Sequence, residues 1–205
     1  RRVLYQNEDF TDNNAALFDG FTIRAGSANG VDEGGGVYMR RNCTLQNCVI
    51  TANTATIAAT DDNITKYGIA VYNNGGYLKN CNIYNNSVSI AGPEHRHSVY
   101  GVGVYSQNGD IDDCTIQSNI TNYDGNGNSW DVQGGAVYLR NNNRVSNCNL
   151  TLNSATNGGA VYVNISDQNA NITLDRCVIS NNTSRKNGGG LYANDERWNP
   201  NDPEN

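Results

Sequence analysis

The chain of 205 residues lacks features that would mark several classes of protein. It has no run of about 18 apolar residues, so no transmembrane helix is expected. It has no excess of basic residues, and its net charge of −6 argues against nucleic acid as a partner. Strong helix formers are sparse, whereas glycine, asparagine, serine and threonine dominate. The chain begins at Arg1 rather than Met and shows no signal peptide, which favours a mature or excised piece of a longer secreted or surface protein.

A short motif recurs six times along the chain. It consists of glycine or alanine, then an aliphatic residue, then tyrosine, and it occupies residues 36–38, 70–72, 103–105, 136–138, 160–162 and 190–192. The steps between successive motifs are 34, 33, 33, 24 and 30 residues. Recurrence at such spacing predicts a solenoid, in which each repeat buries its apolar face against its neighbours.

Five of the six cysteines follow the same spacing. They are Cys48, Cys81, Cys114, Cys148 and Cys177, and each lies in a similar local sequence ending in an aliphatic residue. This spacing predicts a column of small buried side chains rather than a set of disulfides or a metal site. Cys43 lies outside the column and is expected to be exposed.

Two bends recur in each repeat. The first is occupied by Asn47, Asn80, Asp113, Asn147 and Arg176, and the second by Asn53, Asn86, Asn119, Asn153 and Asn182. Asparagine tolerates the left-handed conformation and can hydrogen-bond along a stack. Together with the alternating apolar residues, the bends predict an all-β fold, a right-handed single-stranded parallel β-helix with three short strands per rung (one turn of the coil).

The repeats predict one domain over residues 1–205 with about six to seven rungs. Leu4-Tyr5 lies 33 residues before Val37-Tyr38, and Phe18 to Ile23 matches Leu45 to Ile50, so the N-terminal segment is expected to form strands of the first rung. Phe21 takes the place of the column cysteine and is expected to plug the end of the stack. Residues 193–205 are expected to form a C-terminal cap or tail.

These motifs resemble the right-handed parallel β-helix repeat family, and in particular adhesin-like surface proteins such as the polymorphic outer-membrane proteins and secreted proteins of gut bacteria. The resemblance covers about Phe18 to Tyr192 and implies an extracellular or bacterial cell-surface location. Pectate lyases and polygalacturonases share this pectin-lyase-like architecture, so the resemblance alone does not assign an activity.

The motifs of those enzymes are incomplete in this chain. Of the motifs expected in polygalacturonases, only Asp-Asp pairs occur, at residues 61–62 and 112–113. No complete set of acidic calcium ligands beside an arginine or lysine base is visible. The residues therefore favour binding over catalysis and leave a divergent enzyme open.

Three consecutive rungs carry long insertions at the same bend, over residues 57–66, 89–99 and 122–132. Stacked insertions predict a wall beside the Val-Tyr strands, and loops on a rigid scaffold are where function is expected. With valine pointing inward and tyrosine outward, the exposed rings would suit sugars. The predicted ligand-binding residues are Tyr72, Tyr105, Tyr138, Trp130, His95 and Arg96. The alternative is a tyrosine ladder that serves packing alone.

Two metal sites are candidates. Asp124, Asn126 and Asn128 have the alternating oxygen spacing of calcium loops, and Asp131 adds a carboxylate, so Ca²⁺ is the possible cofactor. His95 and His97 would share a face of an extended segment and suit Zn²⁺, although no third ligand is evident.

The leading hypothesis is a secreted or cell-surface protein that binds a polysaccharide or a host glycan in an adhesin-like role. The second hypothesis is a polysaccharide lyase or glycoside hydrolase, with participants among Asp62, His95, Arg96, Asp124 and Asp131. The third is a purely structural stalk without a ligand. The sequence does not define an oligomeric state.

Overall fold

The computed structural model of the chain describes residues 1–9, 11, 15–30, 32–58, 63–91, 97–124, 131–167 and 169–195. These residues form β-strands and no helix. In chain order the strands are β1 (Leu4–Tyr5), β2 (Ala16–Asp19), β3 (Thr22–Arg24), β4 (Val37–Arg40), β5 (Cys43–Gln46), β6 (Val49–Thr51), β7 (Thr54–Ile57), β8 (Thr65–Tyr67), β9 (Val71–Asn74), β10 (Tyr77–Lys79), β11 (Asn82–Tyr84), β12 (Ser87–Ala91), β13 (Ser98–Tyr100), β14 (Val104–Gln107), β15 (Asp110–Asp112), β16 (Thr115–Gln117), β17 (Ile120–Asp124), β18 (Asp131–Gln133), β19 (Val137–Arg140), β20 (Asn143–Ser146), β21 (Asn149–Thr151), β22 (Ser154–Asn157), β23 (Val161–Ile165), β24 (Ile172–Asp175), β25 (Val178–Ser180), β26 (Thr183–Asn187) and β27 (Leu191–Asp195).

Each strand pairs in parallel with the equivalent strand one turn away, which defines a parallel β-solenoid of about five turns. We name its five sheets A to E. Their strand orders are β1-β4-β9-β14-β19-β23-β27 in sheet A, β2-β5-β10-β15-β20-β24 in sheet B, β3-β6-β11-β16-β21-β25 in sheet C, β7-β12-β17 in sheet D and β8-β13-β18-β22-β26 in sheet E. The predicted class, an all-β parallel β-solenoid, is therefore confirmed, and its right-handedness stays a prediction.

The number of strands per turn is larger than the three predicted. Sheets D and E add two more strands in three successive turns, and they contain much of the sequence that was predicted to be loop. These segments form strands because their residues alternate between buried and exposed, as in Thr54–Ile57, where Ala55 and Ile57 are buried and the two threonines are exposed. The buried residues of sheets D and E, together with Ile69 and Val102, form an apolar cluster of their own. The inward residues of these added strands enlarge the core.

The orientation of the Val-Tyr strands is as predicted. Val37, Val71 and Val104 are fully buried in the main core with the inward residues of sheets B and C. The tyrosines lie on the opposite face of sheet A, where they form a separate cluster.

The cysteine column is confirmed. The described cysteines are all free, and Cys48, Cys81, Cys114 and Cys148 are buried in the main core. The prediction that Cys43 is exposed was wrong, because β5 alternates and directs Cys43 and Leu45 into the core.

The first bend has the predicted left-handed geometry, whereas at the second bend the left-handed residue directly precedes the ladder asparagine, as Ala52 precedes Asn53. Asn47 has a φ of 52°, and its equivalents through Arg176 are also left-handed. At the second bend the stacked asparagines are buried from Asn53 to Asn153, and each donates its side-chain amide to the next.

The N-terminal strands pair as predicted, with Leu4 beside Val37 and Phe18 beside Leu45. Phe21 is 54% exposed, so it covers the end of the stack only in part. After three turns the coil narrows, because β22 replaces the separate strands of sheets D and E and lies against both β17 and β18.

Candidate functional site

The candidate site lies at the corner where each turn passes from sheet E to sheet A. The corner residue is a glycine with positive φ, 74° at Gly101 and 75° at Gly134. A Cβ atom on Gly101 would lie 2.2 Å from the carbonyl oxygen of Val104, so no side chain fits there. This tight corner brings the outer faces of the two sheets together.

Two lanes, meaning sets of equivalent positions in successive turns, meet at this corner. One is the tyrosine ladder of sheet A, which runs through Tyr5, Tyr38, Tyr72, Tyr105, Tyr138, Tyr162 and Tyr192. The other is the outer lane of sheet E, which runs through Tyr67, Tyr100, Gln133, Asn157 and Asn187. The Tyr67 ring meets the Tyr105 ring edge to face, with centroids 5.2 Å apart. Because residues on the outer faces of both sheets touch, the corner is concave.

A cleft of about 290 Å³ follows this corner. We call it the corner cleft, and it is lined by Tyr67, Tyr100, Tyr105, Asp131, Gln133, Tyr138, Arg140 and Asn164. In this cleft, tyrosine ring edges from both sheets lie near the carboxylate of Asp131, the guanidinium of Arg140 and the amides of Gln133 and Asn164. A concave site with a few convergent polar groups is the usual form of a ligand site.

The rings of the tyrosine ladder are stacked on one another. The Tyr72 and Tyr105 rings have centroids 5.1 Å apart and lie within 6° of parallel, and Tyr105 and Tyr138 are arranged similarly. Tyr105 is 2% exposed and Tyr138 is 4% exposed. Their ring faces are therefore occupied by neighbouring tyrosines, and the cleft meets them at their edges. The half-buried rings of Tyr67 and Tyr100 offer more surface to a ligand.

Burial and hydrogen bonding determine the ionisation of the ladder. Burial raises the pKa of Tyr72 and of Tyr138 well above the usual range. Burial also raises the pKa of Tyr105, while a hydrogen bond with the Arg140 side chain lowers it in part. The Tyr105 hydroxyl donates to Gln107 Oε1 at 2.9 Å. The hydroxyl edge of the ladder is therefore neutral at physiological pH and tied to the polar groups of the cleft.

A chain of amides orients the carboxylate of the cleft. Asp131 accepts hydrogen bonds from the side-chain amides of Gln133 and of Asn157, the latter at 3.3 Å. Asn157 in turn accepts a hydrogen bond from Asn187 Nδ2 at 3.1 Å. The side chains on this side of the cleft are therefore held in place before any ligand binds.

The structure brings part of the predicted site together. Tyr105, Tyr138 and Asp131 line one cleft, and Tyr72 stacks on Tyr105. The predictions for Asp62, His95, Arg96, Asn126, Asn128 and Trp130 lie outside the described residues.

The predicted metal sites receive no support from the part of the chain that the structure describes. Asp124 is the last residue of β17. In the described ranges, no group of three or more histidine, cysteine, aspartate or glutamate residues is placed to hold a metal ion. His97 is buried, and its Nδ1 accepts a hydrogen bond from the Ile64 N–H at 3.3 Å, so it takes part in core packing.

The acidic residues of sheet B are engaged in hydrogen bonds. Asp112 accepts from Ser146 Oγ at 2.6 Å and from Asn147 Nδ2 at 3.1 Å, and the Ser146 bond is the main cause of its lowered pKa. It lies beside Lys79 as the repeat predicts. These contacts favour a structural role for Asp112.

Sequence reasoning missed Tyr67, Tyr100, Gln133 and Arg140. A signal was present for three of them, because Tyr67, Tyr100 and Gln133 each stand directly before the corner glycine at intervals of 33 residues. Arg140 follows the Val-Tyr motif by two positions and therefore lies on the tyrosine side of sheet A.

The fold places the chain among the parallel β-solenoids, and the corner cleft is its candidate ligand site. No protein-family model matches the chain, and no curated protein or solved structure matches it either. None of the described segments is a helix with the length and hydropathy that a membrane crossing requires.

Proposed function

We propose that the protein binds a linear glycan along the corner cleft, as a secreted or cell-surface protein with an adhesin-like role. The observation that carries this proposal is the convergence, in one cleft, of the half-buried rings of Tyr67 and Tyr100 with Asp131, Gln133 and Arg140. Sugars present both apolar C–H surfaces and hydroxyl groups. The exposed parts of the Tyr67 and Tyr100 rings suit the former, because C–H groups pack on the electron-rich face of an aromatic ring, and carboxylate, amide and guanidinium groups hydrogen-bond the latter.

The repeat favours a linear ligand over a compact one. Equivalent positions of the cleft recur at the spacing of adjacent strands, about 4.8 Å. A polymer lying parallel to the solenoid axis would therefore meet similar groups from one turn to the next. The amide chain from Asn187 to Asp131 holds this surface in one arrangement, which lowers the entropic cost of binding.

Binding is favoured over hydrolysis by the composition of the cleft. Glycoside hydrolysis normally uses a pair of carboxylates flanking the bond to be cleaved. Among the residues that line the corner cleft, Asp131 supplies the one carboxylate. An arginine and amides complete the polar lining, which suits recognition.

The test compares the wild type with the double variant Tyr67→Ala/Tyr100→Ala on an array of neutral and acidic glycans. Affinity for any bound glycan is expected to fall about tenfold, because two aromatic contacts are lost and each contributes about 0.5–1.5 kcal/mol. Tyr77→Ala is the matched control, since Tyr77 is a half-buried outward tyrosine of sheet B. Thermal melts verify folding.

Three results would overturn the proposal. They are unchanged binding in the double variant, equal loss in the control, and absence of binding to every glycan by the wild type. The same incubations, assayed for reducing ends and unsaturated uronates, would detect turnover and replace the binding role with an enzymatic one.

A further inference from the structure

One side of the solenoid carries no charge over four successive turns. Residues 49–57, 82–90, 115–123 and 149–157 form strands of sheets C, D and E and the bend between sheets C and D, and none of these 36 residues is acidic, basic or histidine. At the chain-wide charged fraction of 17%, about six charged residues would be expected among them. We call this surface the neutral face.

Most outward residues of the neutral face are small and polar, and they include Thr51, Thr54, Thr56, Ser87, Ser89, Thr115, Asn122, Asn149 and Thr151. The larger outward residues include Val49, Tyr84, Ile120 and Leu152. The neighbouring outer face of sheet B differs, since it presents Lys79, Asp110, Asp112 and Arg144. The absence of charge is therefore confined to one side.

The neutral face is regular and rigid. Its lanes are in register, because the N–H groups of Thr54, Ser87, Ile120, Ser154 and Thr183 each donate to the preceding turn at equivalent positions. The buried asparagine ladder lies directly beneath the bend between sheets C and D and links successive turns by side-chain bonds of 2.8–3.0 Å. A surface fixed in this way loses little conformational entropy when a partner covers it.

We propose that the neutral face docks onto the surface of a packed, uncharged polysaccharide. A charged partner would meet no charged residue of the neutral face itself, which Arg185 of the following turn borders by stacking on the Tyr123 ring, 4.3 Å from its centroid. Such a partner would lose hydration with little compensation. A stable protein partner normally requires a core rich in aromatic and large apolar residues. On the neutral face the large exposed apolar residues are Ile120 and Leu152. Two such residues are few for the apolar core of a protein interface. Hydroxyl, amide and methyl groups in regular rows match a neutral polymer that presents hydroxyl and C–H groups in rows of its own.

The two sites can be tested separately, because the positions changed in each test belong to one site only. The neutral face is formed by sheets C and D, their connecting bend and β22 of sheet E, whereas the cleft is lined by residues of sheets A and E. The two meet at Asn157, which donates a hydrogen bond to Asp131 at 3.3 Å. The cleft variant Tyr67→Ala/Tyr100→Ala is therefore expected to keep its binding to packed polysaccharide.

The experiment measures depletion of the protein from solution by microcrystalline cellulose, chitin and insoluble β-1,3-glucan particles, at low salt and at 1 M salt. The wild type is expected to be depleted by at least one of them, with little dependence on salt because no ion pairs form. Thr56→Lys/Ser89→Lys places two charges on adjacent positions of sheet D and is expected to weaken depletion at least tenfold. Thr44→Lys/Gln46→Lys adds the same charge to the outer face of sheet B and serves as the control.

Four outcomes overturn the proposal. The wild type is not depleted by any of the three solids; the sheet D lysines leave depletion unchanged; the sheet B lysines weaken it equally; or the protein forms a dimer in solution that the sheet D lysines abolish. The last outcome would assign the neutral face to a second copy of the chain.

Discussion

The buried side chain of Asn53 donates a hydrogen bond from Nδ2 to the Oδ1 atom of Asn86, which lies 2.9 Å away and 33 residues later in the chain. The same oxygen accepts the backbone N–H of Asn53 at 2.9 Å. One asparagine thus satisfies two buried donors of the previous turn, and each step of the ladder repeats the arrangement. Because buried donors without a partner are costly, this relationship ties neighbouring turns into one unit.

Removing one member of the ladder is expected to destabilise the fold. Asn119→Ala removes the Oδ1 acceptor of the buried Asn86 N–H and of one Asn86 Nδ2 bond, while Nδ2 keeps its bonds to the carbonyl oxygens of Ile50 and Tyr84. The free energy of unfolding should fall by about 3 kcal/mol. Urea denaturation measures it, and Asn149→Ala, at an exposed position of sheet C, should change it by less than about 0.5 kcal/mol. Similar values for the two variants would show that the ladder contributes little.

The corner glycine is expected to be required for space as well as for its backbone angle. Gly101 and Gly20 have φ values of 74° and 76°, but a Cβ on Gly101 would clash with Val104, whereas no atom of the described residues, apart from the chain neighbours of Gly20, lies within 4 Å of a Cβ on Gly20. Gly20→Ala should cost about 1 kcal/mol from the left-handed conformation. Gly101→Ala should cost about 2 kcal/mol more because of the added clash. Equal losses in thermal or urea unfolding would contradict the steric argument.

Much of this fold is predictable because a solenoid repeats its constraints in every turn. Val37, Cys48 and Asn53 each recur at nearly constant intervals, so lanes, bends and burial can be read from spacing alone. The strands of sheets D and E were missed because their segments are short and the spacing counted them as insertions. Their alternating residues, such as Ala55 and Ile57, are visible in retrospect.

Only part of the candidate site could be predicted from the sequence, and the reason is geometric. The outward direction of Tyr105 follows from alternation along one strand. Its contact with Tyr67 depends on the angle between two sheets, which no local pattern defines. The sequence therefore did not connect the aromatic and polar halves of the cleft, and it left open whether the stacked tyrosines bind a ligand or serve packing alone.

An exposed leucine occupies a conformation that suits asparagine or glycine. Leu152 has a φ of 59° and is 55% exposed, whereas the equivalent residues of other turns include Asn85 and Asn181. Leu152→Asn is expected to raise the free energy of unfolding by about 1 kcal/mol, because it removes the steric strain without losing buried surface. The reciprocal Asn85→Leu should lower it by a similar amount. A loss of stability in Leu152→Asn would mean that the leucine makes a contact that outweighs its strain.

The buried thiols are expected to resist alkylation in the folded protein. Burial raises the pKa of Cys43 to about 11, and only the thiolate reacts readily. Iodoacetamide at pH 8 should therefore modify the half-buried Cys177 before Cys43, with peptide mass mapping as the measurement. In 8 M urea the two should react at similar rates. Early modification of Cys43 in the folded protein would indicate that the bend between β4 of sheet A and β5 of sheet B opens.

The tyrosine ladder is expected to make stability depend on pH above 10. Tyrosine in the unfolded chain has a pKa of about 10, and burial raises the pKa of Tyr72 and of Tyr138 above that value in the folded protein. Between the two pKa values the unfolded chain releases protons that the folded protein keeps. Stability is therefore fully present below about pH 10 and falls as pH rises toward the folded-state pKa, by about 1.4 kcal/mol per pH unit for each such tyrosine.

Tyr138→Phe tests this dependence directly, because phenylalanine keeps the stacked ring and removes the titrating hydroxyl. The variant should lose stability less steeply between pH 10 and pH 11 than the wild type, by about 1.4 kcal/mol per pH unit in urea titrations. Tyr84→Phe, on the outer face of sheet C, controls for the chemical change away from the ladder. If the slope for Tyr138→Phe equals that of the wild type, the Tyr138 hydroxyl is accessible to water in the folded protein. The stacked rings would then be open to a ligand at their edges at least as freely as those of Tyr67 and Tyr100.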